Sequence, residues 1–307
     1  MRIALTGGTG FLGTPLGRLL AQHGHEVAIL TRRPGAAGNL PWQSGPGTVT
    51  QQHWTASPDT RLWQPVIDGC DVVVNLAGES IASARWTTSQ KARLEHSRLD
   101  ATRGIVQALD AAPPKPRRLI SGSAVGYYGS RGDSVLAESS TPGDDFLAAL
   151  AVKWEAAASR VQSARLTLIR TGMVLDQNGG ALQKMLVPFR LGAGGPAGPG
   201  TQYMSWIHLK DWLRLVAWLV DTRAEGPFNL VAPHPVTNGQ FATALGRALK
   251  RPAFLPAPAF ALRLALGEMA DGLLLASQRV VPERALDAGF IFEFPTLEAA
   301  LGELFGG

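Results

Sequence analysis

Thirteen residues at the start of the chain constrain its fold more than any other stretch. In Met1-Arg-Ile-Ala-Leu-Thr-Gly-Gly-Thr-Gly-Phe-Leu-Gly13, a short apolar strand, Ile3 to Leu5, runs directly into Gly7-x-x-Gly10-x-x-Gly13. An amphipathic helix follows, with Phe11, Leu12, Leu16, Leu19 and Leu20 on its apolar side. A strand, a Gly-rich turn and a helix in this order form the unit that holds a dinucleotide pyrophosphate. Gly7 permits the tight turn, Gly10 lets the backbone approach the phosphates, and Gly13 lets helix and strand pack closely. The helix start adds open N–H groups and partial positive charge for the anion. Gly7, Thr9, Gly10, Phe11, Leu12 and Gly13 are therefore expected to bind the cofactor.

The remainder must build a sheet around that unit. Val27 to Leu30 and Val72 to Leu76 read as strands, and Thr88 to Leu109 as a long helix broken by Pro113-Pro114. Arg118 to Ser121 and Leu166 to Arg170 read as strands, with a helix over Asp144 to Arg160 between them, capped by Asp144 or Asp145. Strands alternating with helices imply an α/β fold, a doubly wound parallel sheet covered on both faces. Gly35 to Gly47 and Gly192 to Gly200 read as Gly/Pro loops. Later segments suggest a helix over Asp211 to Asp221 and a strand over Pro227 to Val231. The tail suggests a helix over Leu262 to Leu275 and a strand over Gly289 to Phe294 that buries Phe290, Phe292 and Phe294 on one face. The expected organisation is a dinucleotide-binding part over 1–170, sheet completion and substrate capping over 171–251, and a small C-terminal domain over 252–307 packed on the body.

Composition narrows the function classes. Apolar residues make up 45% and charged residues 17%, which suits a globular protein with a large core. The apolar runs are too short or too interrupted to span a bilayer, and the start lacks signal-peptide organisation. A single Cys70 excludes an intrachain disulfide framework and fits a reducing cytoplasm. The net charge of +5 comes from scattered residues with no aromatic-interleaved basic stripe, so neither nucleic acid nor membrane is expected as a partner. The expected ligand is a small molecule whose identity the sequence does not give, and the oligomeric state is left open, a homodimer included. No His/Cys cluster has metal-ligand spacing, so no metal is expected.

Four separated segments carry a resemblance to the extended short-chain dehydrogenase/reductase superfamily, in its sugar-nucleotide epimerase branch. They are Thr6 to Gly13, Asn75-Leu76-Ala77-Gly78, Ser121 to Gly129, and Ser205-Trp206-Ile207-His208 with Asp211. A narrower resemblance spans nearly the whole chain. Asn75 to Ser80, Arg85-Trp86-Thr87, Trp154-Glu155, Arg170-Thr-Gly and the tail motifs Gly267-Glu-Met, Arg279-Val-Val-Pro282 and Phe294-Pro-Thr-Leu are similar to a divergent epimerase family subgroup. That subgroup, sometimes labelled cell-division-inhibitor-like, ends in a C-terminal domain of unknown function. The resemblance implies a Rossmann fold and a nicotinamide cofactor, and it names no substrate.

Thr31, Arg32 and Arg33 end the second strand. In this fold a carboxylate there favours NAD, but two guanidiniums suit a 2′-phosphate, so NADP(H) is the expected cofactor. The resemblance puts an adenine-side contact at Trp54-Thr55, against a plain packing role for the Trp. Leu76, Ala77, Gly78, Glu79 and Arg85 stand at the strand end where the cofactor lies. Glu79 and Arg85 read either as an ion pair with each other or as cofactor or substrate contacts.

The resemblance gives Ser123 the role of polarising a carbonyl. It also calls for a Tyr acid/base with a Lys one helical turn later. Anchored on Lys153, the Tyr position is Ala149. Anchored on Glu155, the pair becomes Leu147 and Ala151. Neither register holds a Tyr. Tyr127, Tyr128 and His208 remain as candidates for proton transfer, with the two tyrosines nearest to Ser123 in sequence. The chain reads as an NADP(H)-dependent oxidoreductase or epimerase-like enzyme, or else as a non-catalytic NADP(H)-binding sensor.

Overall fold

A computed structural model describes residues 1–33, 35, 45–56, 59–115 and 117–306 of the chain. The loop expected over 35–47 falls mostly on residues 36–44, outside the described residues. The first half alternates strands β1 (Arg2–Thr6), β2 (Glu26–Thr31), β3 (Thr48–His53), β4 (Val72–Asn75) and β5 (Arg117–Ala124) with helices α1 (Gly13–Gln22), α2 (Gln64–Gly69) and α3 (Thr88–Ala111). After a 3₁₀ turn over Val125–Tyr128 come β6 (Val135–Leu136), α4 (Phe146–Ala158), β7 (Ala164–Thr171), β8 (Met173–Leu175) and α5 (Gly180–Arg190). Strands β9 (Tyr203–Met204) and β10 (Trp206–His208) lead into α6 (Leu209–Asp221), followed by β11 (Gly226–Leu230), β12 (Val236–Thr237) and α7 (Asn238–Ala248). The tail holds α8 (Ala259–Leu266), α9 (Glu268–Ala270), β13 (Arg279–Val280), α10 (Glu283–Asp287) and α11 (Leu297–Phe305).

Seven strands form one sheet in the order β11-β7-β5-β4-β1-β2-β3, and every neighbouring pair is parallel. Parallel strands buried on both faces need apolar residues in both directions. In β1 and β4, Ile3, Leu5, Val72 and Val74 enter one core with Leu16 and Leu20 of α1 and Trp212 and Leu215 of α6. Ala4 and Val73 face the other core, with Trp63, Ile105 and Leu109 under α2 and α3. The strand order reverses between β1 and β4. The carboxyl ends of the strands at such a reversal are the place where ligands bind in sheets of this kind.

The C-terminal portion shares these cores. Phe290 and Phe292 join the first, while Phe294, Leu297 and Leu301 join a third with Phe189, Trp206 and Phe241. All three phenylalanines are buried as expected, but not on a strand. The segment pairs with no sheet strand, and the Asp211 carboxylate accepts the N–H groups of Glu293 and Phe294 at 2.9 and 2.8 Å instead. The helix expected over 262–275 is also broken. Gly267 turns with φ of +63°, separating α8 from α9, and a π turn follows over Asp271–Leu275. Glycine adopts that backbone conformation without the Cβ clash of other residues.

Candidate active site

The Gly-rich turn has the shape its sequence requires. Gly7 sits at φ +68°, and a Cβ there would come within 2.7 Å of the Leu76 carbonyl oxygen. A Cβ on Gly13 would lie 2.2 Å from the Gly7 carbonyl oxygen, so only glycine lets α1 start this close to β1. Helix α1 has no side-chain cap and no acid in its first turn. The N–H groups of Phe11, Leu12 and Gly13 donate to nothing among the described residues. Helix starts left open in this way suit an anion. The Phe11 ring reaches away from α1 and packs against Gly179 and Gly180, where a Cβ would come within 2.3 and 2.9 Å of it. Arg32 and Arg33 are exposed at the end of β2, next to Thr31, whose hydroxyl accepts the Arg33 N–H at 3.3 Å. Neither guanidinium has a hydrogen bond or ion pair among the described residues. Trp54 is buried edge-on against Trp63, which is the packing alternative for that residue.

At the end of β4, Thr6 donates to Asn75 Oδ1 at 2.7 Å and Asn75 Nδ2 donates to Thr102 at 3.0 Å. Thr102 also accepts from Trp154 Nε1 at 2.9 Å. This buried chain ties β1, β4, α3 and α4 together and fixes the turn Leu76-Ala77-Gly78 above it. Glu79 and Arg85 do not pair, which removes the ion-pair alternative. The Glu79 carboxylate accepts from Gln90 and Ser83 at 2.9 and 3.0 Å, bonds that hold its pKa below the usual carboxylate value. Arg85 donates to the Leu264 carbonyl on α8.

Helix α4 selects between the two registers that its sequence left open. Ala149 and Lys153 face solvent, and Lys153 pairs with Glu95 of α3 at 2.9 Å. Leu147, Ala151 and Glu155 lie on the inward side. Leu147 packs beneath Gly126 and beside Gly272, which also meets the Trp86 ring. A leucine and an alanine thus hold the two inward positions.

Sequence reasoning missed the strongest polar feature of this edge. Ser123 donates to Glu155 Oε1 at 2.6 Å, and Arg170 clasps both Glu155 oxygens, through Nε and Nη2, at 2.8 Å each. Arg170 Nη1 donates to the Tyr128 hydroxyl at 2.9 Å and to the Glu138 carbonyl at 3.1 Å. Tyr128 in turn donates to Asn229 Oδ1 at 2.7 Å. Burial works against the Arg170 charge, but its bonds to Glu155 and Tyr128 outweigh that and hold its pKa above the ordinary value. Tyr128 is fully buried, and burial pushes its phenol up to about 12. A phenol so enclosed, with a fixed acceptor and a fixed donor, belongs to the scaffold. The signals were present in the sequence. Arg170 ends an apolar strand and Glu155 sits in an Ala-rich helix, and buried charges need partners.

Tyr127 differs from its neighbour. It is half-buried, its ring lies over the Arg170 guanidinium at 3.6 Å, and its hydroxyl has no hydrogen bond among the described residues. His208 caps α6 through Nδ1, which accepts the Lys210 N–H at 3.2 Å, and its Nε2 lies 3.0 Å from Glu303 of α11. It joins the C-terminal helix to the body and does not reach Ser123's partners. A cavity of about 660 Å³ between α7 and α11 holds none of these residues.

The pattern of the NAD dependent epimerase/dehydratase family matches residues 3–231. The chain belongs to this family. A domain of unknown function, DUF1731, matches residues 257–304 of this epimerase-family chain. The epimerase family protein SDR39U1 of Bos taurus is 40% identical over 99% of both chains. A crystal structure of human epimerase family protein SDR39U1 (isoform 2) with NADPH is 36% identical, covers 100% of both chains and has a TM-score of 0.86. The UDP-N-acetylglucosamine 4-epimerase of Bacillus cereus, at 17% identity and a TM-score of 0.75 over 99% of this chain and 98% of its own, shares the fold. The seven-stranded parallel sheet with flanking helices is the Rossmann-like fold expected from the sequence. Among the described residues, no helix is long and apolar enough to cross a membrane.

Proposed function

We propose that this epimerase-family protein binds NADP(H) across the carboxyl edge of the sheet and acts as an oxidoreductase or epimerase-like enzyme on a small carbonyl or hydroxyl compound. The binding half of this reading is supported by three N–H groups at the start of α1 and two guanidiniums after β2 that have no partner among the described residues, and by a turn in which Gly7 and Gly13 admit no Cβ. The relative solved with NADPH supports it further. Phe11, Leu12 and Gly13 would hold the pyrophosphate, Arg32 and Arg33 the 2′-phosphate, and Leu76 to Gly78 the nicotinamide side. When bound, the cofactor supplies or accepts a hydride.

The catalytic half rests on Tyr127. Proton transfer needs a group within hydrogen-bond reach of the reacting oxygen, and that group must have a proton to give. Ser123 spends its one proton on Glu155, so its hydroxyl polarises a substrate only after turning away from that carboxylate. Tyr128 is committed to Asn229 and Arg170. Tyr127, in the turn that follows β5 and with a hydroxyl unbonded among the described residues, is the phenol left of these two to carry the proton. Following NADPH absorbance with a panel of carbonyl compounds tests this reading. Turnover that falls about a hundredfold in Tyr127→Phe, with cofactor affinity kept, is the expected result. A second reading, a non-catalytic NADP(H)-responsive protein, is favoured by Leu147 and Ala151 at the inward positions of α4. NADPH binding with no turnover of any carbonyl or hydroxyl compound would select it.

A further inference from the structure

A second buried arginine lies at the same edge and is almost without partners. Arg98 of α3 is 9% exposed, yet among the described residues it makes one hydrogen bond, from Nη1 to the Leu94 carbonyl at 3.0 Å, and no ion pair. Arginine carries five N–H donors, and buried charges are ordinarily paired. Glu79, the acid whose charge favours the Arg98 cation, accepts hydrogen bonds from Gln90 and Ser83 and pairs with Arg93 at 3.9 Å, forming no ion pair with Arg98. The Arg98 guanidinium lies over the Trp154 ring at 5.2 Å. Its Cγ and Cζ would lie 3.2 Å from a Cβ on Gly78, so the side chain packs directly under the β4 turn. Burial draws its pKa down to about 10, which leaves it charged at neutral pH.

Its level in the fold follows from the helix geometry. Thr102 of α3 reaches Asn75, the last residue of β4, and Trp154 of α4 reaches the same Thr102. Helix α3 runs back from the carboxyl edge, so Arg98 stands one turn, about 5.4 Å, nearer that edge than Thr102. Ala151 stands about one turn above Trp154 on the facing helix, and its side chain is a methyl group. A cation therefore reaches the edge from α3 at the level where α4 offers none. A dinucleotide seated on the β1 turn in the usual way for this sheet would put its adenosine end toward β2 and Arg32, and its nicotinamide half over β4 and β5.

Resting on the cofactor reading above, we infer that Arg98 is a binding residue for the ribose and phosphate on the nicotinamide side of NADP(H), donating its open N–H groups to their oxygens. The guanidinium is held ready by Trp154 and Leu94, and Gly78 leaves the turn above it without a side chain.

The test is fluorescence titration of wild type, Arg98→Met and Arg98→Lys with NADPH and with adenosine 2′,5′-bisphosphate, which lacks the nicotinamide side. Arg98→Met keeps much of the stem packing and removes the donors. The expected result is a Kd for NADPH raised about tenfold or more, an unchanged Kd for the bisphosphate, and partial recovery in Arg98→Lys. Equal losses for both ligands, or no loss for NADPH, would overturn the assignment. If Arg98→Met does not fold, Arg98→Gln carries the same comparison. Wild type that binds neither ligand would instead overturn the cofactor reading itself.

Discussion

Two buried arginines stand at one edge of the sheet, and they are paired in opposite ways. Arg170, on β7, uses Nε, Nη1 and Nη2 on Glu155, Tyr128 and the Glu138 carbonyl. Arg98, on α3, makes a single hydrogen bond among the described residues, to a carbonyl of its own helix. Burial costs both ions their hydration. Only Arg170 recovers that cost inside the protein, through a bidentate carboxylate that is itself buried. The difference separates scaffold from binding surface. A satisfied buried ion fixes strands and helix relative to one another, whereas an unsatisfied one keeps donors in reserve for a ligand.

The largest effect that can break this contrast comes from Arg170→Leu. It leaves Glu155 buried without its partner, and chemical denaturation should show a loss of about 3–5 kcal/mol. A loss near zero would mean that the Glu155 pair is not part of the scaffold. Next in size is the difference between the adjacent tyrosines. Tyr128→Phe leaves Asn229 Oδ1 without its donor and should cost about 1–3 kcal/mol. Tyr127→Phe removes a hydroxyl with no partner among the described residues and should change stability by less than about 0.5 kcal/mol. Equal costs would refute the assignment of one phenol to the scaffold and the other to the site. Arg98→Met should leave the unfolding free energy unchanged or slightly raised, within about 1 kcal/mol, because it removes a buried charge that has no ion pair among the described residues. A loss as large as that of Arg170→Leu would make the two arginines equivalent.

The smallest effect concerns pH. Burial lowers the pKa of His208 below its ordinary value of 6.5, despite the nearby Glu303 carboxylate, and burial lowers that of His25 as well. A histidine whose folded pKa is depressed takes up protons more readily when unfolded. Its contribution is therefore present above 6.5 and is lost as pH falls through the folded value. Urea midpoints should decline from neutral pH into this range, and His208→Asn should flatten part of the decline. An unchanged slope in that variant would assign the dependence to other groups.

The cradle was legible because its determinants are local. Gly7, Gly10 and Gly13 are set by backbone conformation and close approach within a few residues of one another, and the strand–helix alternation gave the parallel sheet. Local patterns misled in the tail. Phe290, Phe292 and Phe294 alternate as a strand would, but no sheet edge was available and Asp211, about 80 residues away in sequence, took up the backbone N–H groups. The apolar run from Leu262 to Leu275 read as one helix until Gly267 turned it.

The sequence by itself determined the dinucleotide fold, the glycine cradle, the two guanidiniums after β2 and the absence of a Tyr at either candidate position of α4. Only the tertiary structure decided which register of α4 faces inward, since Ala149 and Ala151 differ solely in what packs against them. It also decided that Ser123 meets Glu155, 32 residues later, and that Tyr128 is spent while Tyr127 is not. The contrast between Arg170 and Arg98 is of the same kind. Identical side chains acquire opposite roles because pairing and desolvation depend on neighbours brought from other strands and helices, which no local pattern encodes.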